Sequence, residues 1–185
     1  MQFGEGLKYP WIRPKGLTNI FWALIPLLGP FIMLGYMVDI INSVVSGKKA
    51  QGLPTFRGFG TTLGEGFMYS LRVLPIFILL IILTGIFGMV NDSLGQIIYF
   101  LFLIFYFPLM VINVMVKKKL SATFEFKHIF GMVSKNFGGY IGALIKTIGY
   151  FFISGLLLFV LVGFPMSMSG YVYFADLYKE LGGNA

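Results

Sequence analysis

From Leu17 to Ala175 the chain runs almost wholly in residues at home in lipid, and Pro, Gly and short polar stretches cut those runs at near-regular intervals. No other feature constrains the fold as tightly. About 20 apolar residues in a helix cross ~30 Å of hydrocarbon, and several of these runs reach that length. Charged residues make up 11% of the 185, whereas a soluble domain carries about 25%. That is too few to clothe a water-facing surface. The reading is one integral membrane domain over 1–185, all-α and polytopic, with the lipid bilayer as its first partner.

The same composition removes whole classes of chemistry. The chain has no cysteine, which excludes disulfides, thiolate metal sites and cysteine nucleophiles together. His128 is its one histidine and builds no histidine metal site by itself, so no metal and no cofactor are expected. In a soluble protein a net charge of +7 would point to nucleic acid. Here the basic residues cluster between apolar runs, as in the cytoplasmic loops of membrane proteins, and nucleic acid is not expected as a partner. Met1 to Pro14 holds no apolar core with a cleavage site, so the first span is expected to act as its own insertion signal.

Two spans are plain, Leu71–Val90 and Leu94–Val116, joined at Asn91-Asp92-Ser93 by a turn that allows only an antiparallel hairpin. Pro108 is expected to kink the second. Leu17–Ser46 and Gly139–Leu177 are long for one crossing and are broken at Pro26-Leu27-Leu28-Gly29-Pro30 and at Gly163-Phe164-Pro165. Charge chooses between a kinked span and a hairpin. As hairpins, these runs bring Lys8, Arg13, Lys15, Lys48, Lys49, Arg57, Lys117, Lys118, Lys119, Lys127, Lys135 and Lys179 to one side, with Asp92 as the charge on the other. The expectation is therefore about six spans in three hairpins, with both termini cytoplasmic. The segments are 1–16 (interfacial), 17–46 (broken span or hairpin), 47–70 (loop), 71–116 (hairpin), 117–137 (basic loop with an amphipathic helix) and 138–178 (broken span or hairpin).

The loops carry their own pattern. Phe126, Ile129, Phe130, Val133 and Phe137 share one helical face within Thr123–Phe137, with Glu125, Lys127, His128, Ser134 and Lys135 on the other. That pattern predicts a helix lying in the headgroup plane. Phe3–Trp11 and Phe59–Ser70 read as weaker versions. There is also a hint of repetition. Gly4-Glu5-Gly6 with Tyr9 returns as Gly64-Glu65-Gly66 with Tyr69, and Pro30 with Gly35-Tyr36 returns as Pro165 with Gly170-Tyr171, followed by Asp39 and Asp176 respectively.

Three stretches carry a resemblance. They are Phe3-Gly4-Glu5 through Lys8-Tyr9-Pro10, the Ile25–Pro30 turn running into Leu34-Gly35-Tyr36, and Ser121–Phe126 leading to Ser134–Tyr140. Together the chain resembles, over essentially its whole length, a family of small multi-span archaeal and bacterial membrane proteins described only as a domain of unknown function. The resemblance implies a multi-pass protein of a prokaryotic plasma membrane. It implies no activity and no site residues.

Charges inside spans are the first functional suspects. Helix rise places Asp39, Lys146 and Asp176 at similar depth below the cytoplasmic surface, with Asn42 nearby. Such a cluster suits an ion, an anionic head group or a proton; the plainer reading is that Lys146 reaches the interface and pairs with one aspartate to fix packing. Lys117, Lys118 and Lys119 suit contact with anionic lipid, although topology alone accounts for them. Arg72 reads as a stop signal, His128 as part of a solvated face, and Glu5 and Glu65 as unconnected. Asn113 and Thr84 are expected to hydrogen-bond between helices, and Gly138, Gly139, Gly142, Gly149 and Gly155 to let a neighbouring helix approach.

No hydrolase, kinase or metal motif is present, so no enzyme is expected. The leading expectation is a scaffold or accessory subunit that packs against another membrane protein or forms a homo-oligomer. The rival is a small transporter or channel-like protein using Asp39, Lys146 and Asp176. A third reading is lipid binding or envelope protection through the basic face.

Overall fold

The computed structural model describes residues 1–160 and 163–183, all in helices and turns. Helix α1 spans Phe3–Ile12, and a 3₁₀ segment over Pro14–Leu24 leads to α2, Gly29–Val45. Next come α3, Phe59–Val90, and α4, Asp92–Leu101, which passes through a π turn over Phe102–Tyr106 into α5, Phe107–Lys117. The chain continues as α6, Phe126–Lys135, then α7, Phe137–Leu156, extended by a 3₁₀ turn to Val160, then α8, Gly163–Ser167, and α9, Val172–Glu180. Three stretches are long and apolar enough to cross a membrane: Phe59–Val90, Asp92–Lys117 and Phe137–Phe159. Helix α2, with 17 residues, is shorter, and the nine residues of α9 rise only about 14 Å.

The breaks fall where backbone chemistry puts them. Leu27 has a positive φ of 64° in the turn before Pro30, and its side chain is 85% exposed. Asn91 ends α3 and caps α4, its side-chain oxygen accepting from the Ser93 amide at 2.8 Å. The last run is interrupted near Gly163 as expected and again over 168–171; Leu161 and Val162, which lead into the first break, lie outside the described residues. Pro108 produces a π turn one residue upstream of α5. Proline leaves the carbonyl four residues back without its donor. That carbonyl, on Ile104, accepts from the Tyr140 hydroxyl of α7 instead.

One expectation fails outright. Phe59–Ser70 is not a separate surface helix but the first turns of the 32-residue α3. No helix breaker separates Ser70 from Leu71, so propagation, which adds one hydrogen bond per residue, carries the helix through. The amphipathic helix in the next loop does form, over 126–135, burying Ile129, Met132 and Val133 and stacking Phe126 on Tyr106 at 4.8 Å. Phe137 belongs to α7.

The core is built around α5 and α9. Every residue from Pro108 to Val116 is buried, as is every residue from Val172 to Tyr178. A helix apolar around its whole circumference has to be enclosed, and α2, α3 and α7 enclose these two. The close approach is at Gly35 and Gly66: a methyl group on Gly35 would strike the Thr62 carbonyl oxygen, and one on Gly66 that of Phe31. Of the glycines expected to do this on α7, only Gly149 faces another helix, where an added methyl group would make ordinary contact with Phe3 of α1 at 3.4 Å. Added atoms at Gly138, Gly142 and Gly155 meet open space, while Ala143, on the packed side, is buried. Tyrosines tie the elements together: Tyr150 donates to the Met166 carbonyl at 2.9 Å, Tyr173 to that of Phe3 at 2.7 Å and Tyr36 to that of Pro54 at 2.9 Å.

The buried positions of α3 stop at Leu80. Beyond it Ile81, Ile82, Ile86, Phe87, Met89 and Val90 are exposed, and on α4 Gly95 is the buried residue. The outer half of this hairpin touches little but itself.

Candidate functional site

At the end of the bundle opposite the Asn91 turn, the loops bring charges onto the helix ends in three groups. The first centres on Asp39 of α2 and Glu65 of α3. Arg57, from the loop between these helices, grips Asp39 with two contacts, Nε to Oδ2 at 2.9 Å and Nη2 to Oδ1 at 2.5 Å. This paired geometry is the strong form of a carboxylate–guanidinium contact. Glu65 receives Lys118 at 3.0 Å, with Arg72 at 3.6 Å and Arg57 at 3.9 Å. The last two separations exceed hydrogen bonding and act through charge alone.

The second group surrounds Asp176 of α9. Its Oδ1 accepts from Lys49 at 3.0 Å and its Oδ2 pairs with the Met1 amine. Lys146 of α7 donates to the Met1 carbonyl at 2.9 Å. The Lys49 ammonium is held above the ordinary lysine range by its hydrogen bond to Asp176, against a smaller burial effect. Glu5 accepts from the Gln2 amide at 3.0 Å, which closes the first turn of α1.

The third group rests on Asn113, fully buried on α5. Its amide donates to the Ala122 carbonyl at 2.9 Å and to Glu125 at 3.0 Å, and its oxygen accepts from Tyr178 at 2.7 Å. Lys117 closes on Glu125 at 2.5 Å. Burial pushes the Glu125 carboxyl up, but the Lys117 and Asn113 hydrogen bonds and the Lys117 charge outweigh it and hold the group below the usual glutamate range.

Of the residues singled out in the sequence, Lys146 and Asp176 meet through Met1, whereas Asp39 pairs with Arg57. Asn42 ties α2 to α5, donating to its own Val38 carbonyl at 2.8 Å and to that of Met115 at 3.2 Å. Lys117 and Lys118 are engaged by glutamates; Lys119 is exposed, with no ion pair among the described residues. Asn113 bridges elements as expected. Thr84 does not, since its hydroxyl returns to the Leu80 carbonyl of its own helix at 2.8 Å. His128 is exposed on α6. Among the described residues no three His, Asp or Glu side chains gather where a metal ion would sit.

Sequence reasoning missed the loop cations. Arg57 and Lys49 reach aspartates far from them along the chain, and no local pattern marks such pairs. It also missed an open cleft of about 390 Å³ between the end of α2 and the 46–58 loop, whose walls include Arg13, Lys48, Arg57, Asp39, Ser43 and Ser46.

A family model described as a protein of unknown function (DUF4013) matches residues 19–163. The chain belongs to the DUF4013 family. The DUF4013 match takes in α2 to α7, and so Asp39, Arg57, Glu65, Asn113 and Lys146; it leaves α1 and α9, with Asp176, outside it. No curated protein and no solved structure matches the chain significantly.

Proposed function

We propose that this protein is a non-catalytic membrane component, a small scaffold or accessory subunit that packs against a larger membrane protein or against copies of itself. The observation that carries this reading is the fill of the centre. Ile40, Ile41 and Val44 of α2 meet Leu109, Met110 and Ile112 of α5 with no exposed surface. A transport path needs a run of polar groups or water at that depth. The polar side chain there, Asn113, is instead fully hydrogen-bonded, and the carboxylates Asp39, Glu65, Asp176 and Glu125 are each closed by cations at one end. The outer half of the α3–α4 hairpin, by contrast, presents apolar side chains that only lipid or another apolar surface covers.

The threading we propose is three hairpins of about six limbs in a prokaryotic plasma membrane, both ends cytoplasmic, with three limbs long enough to cross fully and the short α9 limb seated inside the bundle. Its support is the gathering of Lys49, Arg57, Arg72, Lys117 and Lys118 at one end, with Asp92 at the far hairpin tip. Basic residues flanking spans stay on the cytoplasmic side.

Photocrosslinking in native membranes tests the proposal. A photoreactive residue at Ile82, Ile86 or Ile97 is expected to give one discrete protein adduct, either twice the mass of the chain or with one recurring membrane protein. Lipid adducts alone from all three positions would overturn it.

A further inference from the structure

We propose that the cleft between the end of α2 and the 46–58 loop binds a phosphate-bearing anion. The group is either the head of an anionic phospholipid or a soluble phosphate ester.

The site is assembled by the loop. Gly52, at φ 69°, turns the chain so tightly onto the end of α1 that an added methyl group would lie 2.8 Å from Ile12. That contact brings Arg13 into the wall, where its Nη1 donates to the Leu53 carbonyl at 3.3 Å. A guanidinium has five N–H donors, so this single bond anchors Arg13 and leaves donors facing the cleft. Lys48 also lines the cleft and is exposed, and its ammonium has no ion pair or hydrogen bond among the described residues. Arg57 forms the floor with Asp39.

Three cations therefore face one carboxylate, and that carboxylate is already held at both oxygens by Arg57. The walls carry an unbalanced positive charge and several unspent donors, with the Ser43 and Ser46 hydroxyls beside them. This donor set matches a phosphate, since guanidinium groups bind its oxygens in a planar fork and an ammonium adds a point charge. The C-terminal end of α2 disfavours an anion through its exposed carbonyls. Here those of Asn42, Ser43 and Val44 are taken by the amides of Ser46, Lys48 and Gly47, at 2.9 Å each. The space, about 390 Å³, exceeds that of a bare ion and suits a phosphate with its ester substituent. The cleft opens among the loops at the basic end, at the level a lipid headgroup occupies in the threading proposed above, but binding of a soluble ester does not depend on that threading.

The test uses the full chain in nanodiscs of phosphatidylcholine, with and without phosphatidylglycerol, and glycerol 3-phosphate as the soluble probe. Native mass spectrometry reads retained lipid, and the thermal midpoint reads soluble ligand. Wild type is expected to retain phosphatidylglycerol preferentially or to gain thermal stability with glycerol 3-phosphate. The Arg13→Gln/Lys48→Gln pair is expected to lower whichever response is seen by about tenfold or more. Lys119→Gln, on the same basic face but outside the cleft, is expected to leave it intact, and Arg13→Lys/Lys48→Arg to restore it. Because Lys48 is exposed and unpartnered, Lys48→Gln alone gives a well-folded reading should the pair misfold. A response to phosphatidylglycerol only assigns the lipid headgroup, and one to glycerol 3-phosphate in pure phosphatidylcholine assigns a soluble ester. No response from wild type, or an equal loss in Lys119→Gln, would overturn the site.

Discussion

Asp39 and Asp176 each follow a Pro…Gly-Tyr stretch, unbroken within α2 before Asp39 but interrupted by the 168–171 turn between α8 and α9 before Asp176. A Gly-Glu-Gly helix packs against each of α2 and α9: Gly66 against α2, and Gly6 against Tyr173 of α9. Yet the two sites have opposite character. Asp176 is sealed, with a side chain 5% exposed, and its partners, the Met1 amine and Lys49, tie α9 to the segment before α1 and to the 46–58 loop. Asp39 sits in the wall of an open cleft, and its partner comes from a loop. Two similar sequence stretches thus end in a strut in one place and in the rim of a cavity in the other. The aspartate does not set the difference. The segment that delivers the cation does: Lys49 reaches over from a loop onto an enclosed helix, while Arg57 leaves room beside it for Arg13 and Lys48.

Several perturbations would break or sharpen that contrast. Asp176→Asn has the largest expected effect. Removing one partner of a buried ion pair costs about 3 kcal/mol or more, so the thermal midpoint in detergent should fall steeply; a midpoint unchanged from wild type would make the strut reading untenable. Gly66→Leu comes next, because the obstacle is the Phe31 backbone carbonyl, which cannot turn aside. Overpacking of this kind costs roughly 1–3 kcal/mol. Gly6→Leu meets the Tyr173 ring rather than backbone; displacing it costs the hydrogen bond to the Phe3 carbonyl but moves no helix, and should cost less in the same assay. Equal losses at the two glycines would mean that the two crossings are alike after all. Asp39→Asn should cost about 1 kcal/mol, discounted because Arg57 is 38% exposed and solvent screens such pairs.

The smallest effect is with pH. Lys49 is raised in the folded protein, so its contribution is fully present below the unfolded lysine value of about 10.4 and fades as pH climbs through the folded one. Glu125 is lowered, so its contribution is present above the unfolded value of about 4.3 and fades as pH falls through the folded one. Unfolding midpoints measured across that range should be flat in the middle and decline at both ends. In Lys49→Gln the alkaline decline should shrink; if it persists at full size, the brace is not what titrates.

Much of this architecture was legible in the sequence because lipid imposes a coarse rule. The apolar runs, the Asn91 hairpin, the Pro26–Pro30 break and the amphipathic face around Ile129 all follow from residue type at fixed spacing. What escaped belongs to other scales. The fusion of 59–70 with the following span was hidden because hydropathy changes at Ser70 while the backbone has no reason to stop. The glycine contact was sought on α7, where glycines recur, but the close crossing is made by Gly35 and Gly66, which belong to two short motifs that nothing in the sequence says face one another. At the polar end, Asp39, Lys146 and Asp176 stand out in the sequence as charges within apolar runs, yet depth along a helix does not say which loop will fold over each, and Asp39 pairs apart from the other two. The Asn113 network joins residues 12 and 65 positions apart, and a single sequence carries no sign of that.

The π turn at Phe102–Tyr106 has a consequence for how this segment tolerates change. It divides one continuous helix into an outer part that buries only Gly95 and an inner part that buries everything from Pro108 to Val116. A π turn amounts to one extra residue wound into the spiral, which offsets all that follows by about 100°. The segment behaves like a two-part screw whose halves are cut at different phases. Deleting Leu103 would bring the halves back into phase, rotating α5 inside its enclosure and drawing Asn113 away from Glu125 and Tyr178, without altering a single apolar residue of the inner half.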